Sequence, residues 1–245
     1  MNTREELLVR ILHKLPEKFK DRLVLKGGVL LQIMNSARAT QDLDYALVSE
    51  ESKKILAKRI EESLLTLEDV RIVETRLNSR GIFMEVERKS DSRQKILLEI
   101  SVIPSLHLPP ETLSTTTLAK SVSLTARAIS GMAFPEAYAH KIAATLERSV
   151  ARDLYDLTVF EPICNFDQKT LAERLSRLSM ERSKSKSISF QEASVLLKQR
   201  IQNLTEKDLE TDLYPLLPAD QRSGLSMMIK ASVGRLAQKM AIVNS

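Results

Sequence analysis

Two aspartates, Asp42-Leu43-Asp44, stand thirteen residues after a pair of glycines in Leu25-Lys26-Gly27-Gly28. Alternation from Asp42 to Val48 predicts a strand, with both carboxylates on one face about 7 Å apart along the backbone. Two anions so placed repel, and no lysine lies between them. A divalent cation resolves the conflict, because Mg²⁺ is commonly held by one or two carboxylates plus substrate phosphates. The bland alternative is that Asp42 caps a turn after Gln41 and Asp44 is merely exposed; for an isolated Asp-x-Asp that is the commoner case.

A third carboxylate is a candidate for the same shell. Glu99 interrupts the apolar run Ile96-Leu97-Leu98-Glu99-Ile100-Ser101-Val102, and a buried acid is costly unless it is paired or metal-bound. The alternative is an edge strand with Glu99 facing water. The glycine pair would close a strand at Leu23-Val24-Leu25 and open an apolar helix from Val29 to Met34. Glycine lets backbone N–H groups approach an anion, and a helix N-terminus adds partial positive charge. By itself such a Gly-Gly is more often only a turn.

A basic stripe follows in the second half of the chain. Pro135 suits the first turn of a helix from Glu136 to Val150 or beyond. On such a helix Lys141, Arg148 and Arg152 fall within about 20° of one line, with Asp153 and Asp156 beside its end. Charge rows are usually solvated faces, and Arg152 with Asp156 would be an ordinary i, i+4 pair. His13, His107 and His140 have no ligand spacing around them.

The remaining elements must hold these groups in place. Thr3 with Glu6 reads as a capping box opening a helix that ends near Pro16. A second amphipathic helix is expected over 49–68 behind Ser49, carrying Ile55, Leu56, Ile60, Leu64 and Leu65. Strands are expected at Val70–Arg76, Gly81–Arg88 and Lys95–Ile103, a loop around Pro104, Pro109 and Pro110, and a strand at Ser121–Ala128. Beyond Asp167 the pattern is helical: Thr170–Arg182, Phe190–Asn203, Glu206–Leu217 and Asp220–Ile242. The polar connector Glu181-Arg-Ser-Lys-Ser-Lys-Ser187 reads as a mobile loop.

Composition bounds the class. The chain has 245 residues, 43% of them apolar, with only six glycines, which excludes disordered and collagen-like proteins and suits one large domain or two ordinary ones. Its net charge of +5 is compatible with a polyanionic partner without requiring one. Aromatics are 4% with no Trp, which argues against a stacking platform for single strands. Cys164 stands alone, so no cysteine metal cage forms within one chain. The start lacks the apolar core of a signal peptide, and no apolar run reaches membrane-spanning length. A soluble protein of a reducing cytoplasm, with no membrane partner, is expected.

Taken together, Gly27-Gly28, Asp42-Leu43-Asp44-Tyr45 and Leu98-Glu99-Ile100 resemble the pattern of the nucleotidyltransferase superfamily related to DNA polymerase beta. Leu25-Lys26-Gly27-Gly28, Arg38-Ala39-Thr40-Gln41-Asp42-Leu43-Asp44, Lys141-Ile142-Ala143 and Arg152-Asp153-Leu154-Tyr155-Asp156-Leu157 look like successive motifs of the AbiEii/MenT-type nucleotidyltransferase toxins. The resemblance runs in order from residue 23 to 157. Two departures, Val29 where Thr is frequent and Tyr45 where a smaller aliphatic residue is common, bear on nucleotide choice.

The resemblance implies an α+β fold: a small mixed sheet flanked by helices as a nucleotidyltransferase core over 1–132, then a helical domain over 133–245, with the site in the cleft between them. It implies transfer of a nucleoside monophosphate from an NTP to a tRNA 3′ end, another RNA or a protein acceptor, with Mg²⁺ or Mn²⁺ as cofactor and an antitoxin as partner. Metal would fall to Asp42, Asp44 and Glu99. The NTP would meet Lys26, Gly27, Gly28, Arg38, Lys141, Arg148 and Arg152, with Lys141 and Asp153 completing the catalytic set. Competing accounts are a catalytically inactive RNA- or protein-binding relative, a DxD glycosyltransferase using a nucleotide-sugar, and a kinase that moves only the terminal phosphate.

Overall fold

A computed structural model describes residues 3–40, 42–148, 150–178 and 187–243. The chain forms two compact units: Met1–Asn35 with Ala39–Ala133, and Ser36–Arg38 with Phe134–Ser245. Among the described residues no helix is long and apolar enough to cross a membrane.

The first unit is built on a seven-stranded mixed sheet. Its strands are β1 (Leu23–Lys26), β2 (Asp42–Val48), β3 (Val70–Leu77), β4 (Ile82–Arg88), β5 (Lys95–Ile103), β6 (Glu111–Ser114) and β7 (Ala128–Gly131). They lie in the order β3-β4-β5-β2-β1-β7-β6. β2 runs parallel to β5 and antiparallel to β1, and β1 runs parallel to β7. Alternation assigns the two faces: Leu43, Tyr45 and Leu47 of β2, Leu98 and Ile100 of β5, and Ile82, Met84 and Val86 of β4 are buried, whereas Asp42, Asp44, Leu97, Glu99, Phe83 and Glu85 are only half-buried.

Among the described residues four α-helices accompany this sheet: α1 (Arg4–Phe19), α2 (Gly27–Ile33), α3 (Lys53–Leu64) and α4 (Thr116–Ser121). α1 buries Leu7, Leu8, Ile11, Leu12 and Leu15 and packs against β1, β5, β7 and α3. Its N-cap is Thr3, whose hydroxyl accepts from the Glu6 N–H at 3.2 Å. The helix continues past Pro16, the expected end, to Phe19. Proline inside a helix removes one donor, yet the Lys20 N–H still closes on the Pro16 carbonyl, and burial of Phe19 rewards the extra turn. α3 is capped by Ser52 rather than Ser49, and it leaves Ile55 exposed. The strand expected at Ser121–Ala128 is instead the end of α4 and a loop, with β7 beginning at Ala128. β6, in a stretch expected to be loop, supplies its antiparallel partner.

The second unit is helical: α5 (Phe134–Glu147), α6 (Ala151–Phe160), α7 (Gln168–Leu175), α8 (Phe190–Asn203), α9 (Glu206–Asp212) and α10 (Leu225–Ile242). Tyr138 stacks on Phe160 with centroids 5.2 Å apart, Phe166 meets Tyr138 edge-on, and Phe190 stacks on Phe166 at 6.1 Å. The segment from Glu181 to Lys186, expected to be a mobile loop, lies outside the described residues. The helix expected over 170–182 is α7, which starts earlier and ends at Leu175.

One expectation is overturned where it matters for the site. The helix after Pro135 does not run through Val150; it ends at Glu147 and a new helix begins at Ala151, so Lys141 does not share a helix with Arg152. Val150 is extended (φ −123°, ψ 128°). The break is held by side chains remote in sequence: Arg200 donates to the Leu146 carbonyl at 2.8 Å, and Asp212 accepts from the Ala151 N–H at 3.1 Å. These satisfy backbone groups that a helix end leaves without partners. Asp212→Ala is therefore expected to lower unfolding free energy by about 1–2 kcal/mol, read from urea denaturation followed by circular dichroism.

Candidate active site

Strand register brings the three predicted metal ligands onto one face. Lys26 on β1 is paired with Asp44 on β2, and Asp44 with Glu99 on β5. Asp42 lies two residues from Asp44 and so projects to the same side. β5 is an interior strand between β2 and β4, so Glu99 is neither on a sheet edge nor sealed in the core; it is half-buried on the accessible face.

The glycine at the end of β1 is required by this arrangement. Gly27 has φ +70°, a left-handed conformation that costs a residue with a Cβ about 1–2 kcal/mol. A Cβ there would overlap Asp44 Oδ2 and lie 2.7 Å from its Cγ. The first function of Gly27 is thus to let α2 start flush against the Asp44 carboxylate. Gly28 follows, buried in the first turn of α2. Upstream of Asp42, the Thr40 hydroxyl accepts from the Asp42 N–H at 3.3 Å and steadies the start of β2.

Lys26 donates from Nζ to Ser101 Oγ at 2.9 Å. Ser101 is paired with Ala46, so the lysine crosses β2 where Ala46 leaves room. Carboxylates are the donors that a hard cation prefers. Among the described residues no three acidic, His or Cys side chains are grouped so as to hold a metal ion. Asp42, Asp44 and Glu99 share one sheet face without closing on a single point.

The second unit gathers the other predicted residues around two aspartates of α6. Arg38 forms a bidentate pair with Asp156, Nε to Oδ1 at 2.8 Å and Nη2 to Oδ2 at 3.1 Å, and both side chains are buried. Lys141 on α5 donates to the same Asp156 carboxylate at 2.8 Å and stands 3.7 Å from Asp153. Arg148, just past the end of α5, reaches Asp153 with Nε 2.8 Å from Oδ2 and Nη2 3.2 Å from Oδ1. Only the Nη2 contact has hydrogen-bond geometry, since Oδ2 accepts no aligned donor.

Asp156 is thus the carboxylate that grips both Arg38 and Lys141, whereas the resemblance places Asp153 in the catalytic set. The available signal was the i, i+3 spacing of Asp153 and Asp156, which puts both on one side of α6. Arg38 engages Asp156. Arg152 is exposed, and among the described residues it has no ion pair with Asp156.

The pattern described as "Nucleotidyl transferase AbiEii toxin, Type IV TA system" matches residues 10–235. The chain belongs to the AbiEii nucleotidyltransferase toxin family, and by family it is an NTP-dependent nucleotidyltransferase. Among solved structures it is similar to MenT4, a nucleotidyltransferase toxin of Mycobacterium tuberculosis, with 19% identity and a TM-score of 0.68 over 97% of this chain and 86% of that one. It is also similar to JHP933 of Helicobacter pylori, with 17% identity and a TM-score of 0.56 over 97% and 90% of the two chains. At such identities the likeness is one of fold. No curated protein sequence matches the chain significantly.

Two outcomes separate placement from stability in this family member. Gly27→Ala should cost about 1–2 kcal/mol and abolish any Mg²⁺-dependent rise in melting temperature, because it displaces Asp44. Asp156→Ala should cost roughly 3–5 kcal/mol by leaving Arg38 and Lys141 without their carboxylate, whereas Arg152→Ala should stay within about 0.5 kcal/mol; chemical denaturation distinguishes them.

Proposed function

We propose that the protein moves a nucleoside monophosphate from an NTP to an acceptor hydroxyl, on the 3′ end of tRNA, another RNA or a protein side chain, and releases pyrophosphate. The observation that carries this reading is the facing pair Asp44 and Glu99, with Asp42 on the same sheet face and Gly27 lacking the Cβ that would displace Asp44. Asp42, Asp44 and Glu99 would hold Mg²⁺ or Mn²⁺. When bound, such a cation would offset the triphosphate charge and make the acceptor hydroxyl more acidic.

The chain's own groups supply the rest. Phosphoryl transfer depends mainly on positioning and charge stabilisation, so backbone N–H groups at Gly27 and Gly28 and the ammonium of Lys26 are assigned to phosphate binding. Glu99 accepts the acceptor proton if it is not wholly occupied as a ligand. In the second unit, Lys141, Arg148 and Arg152 supply positive charge for the triphosphate. Asp156 and Arg38 fix the direction of Lys141, and Asp153 does the same for Arg148. This division assigns a nucleotidyltransferase core to 1–132 and a helical domain to 133–245. The family further supports a toxin's role in the cytoplasm, paired with an antitoxin or serving in phage defence.

The test is incubation with each α-labelled NTP, Mg²⁺ and total cellular RNA, followed by a search for label in RNA and in protein. The parent should incorporate label, and Asp44→Ala should fall to background with an unchanged circular dichroism spectrum. Equal transfer by the two would sink the site assignment. NDP release without label transfer would indicate a kinase, and reaction with UDP-sugars alone a glycosyltransferase.

A further inference from the structure

The carboxylate row continues beyond the residues considered so far. Glu99 is paired with Phe83 on β4, and Phe83 with Arg76 on β3. Lys26, Asp44, Glu99, Phe83 and Arg76 therefore form one cross-strand row on a single sheet face. Adjacent strands lie about 4.8 Å apart, so Phe83 is one step and Arg76 about 10 Å beyond Glu99. At that end lies a cavity of about 360 Å³ lined by Arg76, Asn78, Ser79, Arg80 and Phe83, within the size range of small-molecule sites.

The walls of this cavity are held by specific bonds. The Asn78 side chain accepts from the backbone N–H groups of Arg80 at 2.8 Å and Gly81 at 3.1 Å, which shapes the turn between β3 and β4. Lys53 on α3 donates to the carbonyls of Asn78 and Ser79 at 2.7 and 2.8 Å. The charged groups at the rim are, by contrast, available. Among the described residues Arg80 has no side-chain partner, and the partner of Arg76 is the exposed Glu74 at 3.4 Å.

The geometry points to this cavity as the site that seats the 3′-terminal nucleotides of a single-stranded RNA acceptor, with a base against the Phe83 ring and backbone phosphates on Arg76 and Arg80. The inference rests on the proposed transferase reading, which fixes the direction of approach. In phosphoryl transfer the attacking and leaving oxygens stand roughly in line across the reacting phosphorus. In the proposed reading pyrophosphate leaves on the Gly27–Gly28 side of the carboxylates, so an in-line acceptor approaches from the other side, where β5, β4 and β3 follow along the row. Phe83 offers a sequence-tolerant stacking surface, and two arginines offer the planar donors that suit phosphate. A single aromatic in the right register replaces the many that composition argued against.

Binding of a labelled single-stranded RNA octamer with a free 3′-hydroxyl, followed by fluorescence anisotropy without NTP, tests the site apart from catalysis. Arg76→Ala with Arg80→Ala should weaken binding about tenfold or more and flatten the slope of log K against log salt by roughly 0.7 for each arginine. Phe83→Leu, which keeps the apolar bulk without the ring, should weaken it at least fivefold. In all these variants the melting-temperature rise given by Mg²⁺ and NTP should match the parent. Unchanged RNA binding in the variants, or none in the parent, overturns the inference. Loss of the NTP-induced rise instead would make the cavity the incoming nucleotide's site and overturns the acceptor assignment. Should RNA binding depend on the cavity while no nucleotide is transferred, the transferase reading fails and the RNA site remains.

Discussion

The absence of a side chain at Gly27 is the constraint on which the first unit's chemistry depends. β1 and β2 are paired so that Lys26 faces Asp44, which forces the next residue to turn directly beside that carboxylate. Only a residue with a positive φ and no Cβ can begin α2 there. The close approach fixes Asp44 against Glu99 on the neighbouring strand, and the two-residue period then aligns Asp42. A substitution at Gly27 thus acts on all three acids through one contact.

In the second unit the same economy is achieved with charge. Three cations, Arg38, Lys141 and Arg148, are held by two buried aspartates. Burial of ions is costly unless each is paired and hydrogen-bonded, and the fork geometry of Arg38 on Asp156 meets that condition. Lys141 and both aspartates are placed by helices that the sequence predicts as one continuous rod.

Much of the site was legible because its signals are local. β2, β4 and β5 show two-residue alternation, and the Gly-Gly pair and Asp-x-Asp announce a turn and a shared face. What was not legible depends on remote contacts. The break between α5 and α6 contains neither Pro nor Gly; its end groups are met by Arg200 and Asp212, more than fifty residues away in the chain. β6 and β7 are four residues each, too short for a period to show, and they exist because they pair with each other and with β1. The row through Phe83 and Arg76 needs sheet order and register, which no spacing encodes.

Charge on the sheet face carries the argument for metal further than the Asp-x-Asp alone could. Around Asp44 the row and its neighbours offer three carboxylates and one ammonium, and that ammonium donates to the hydroxyl of Ser101. The Lys26 side chain crosses β2 at Ala46, whose small side chain leaves room for it to reach Ser101. The proposed divalent cation with bound phosphates would lie on this same face, where hard oxygen donors are gathered.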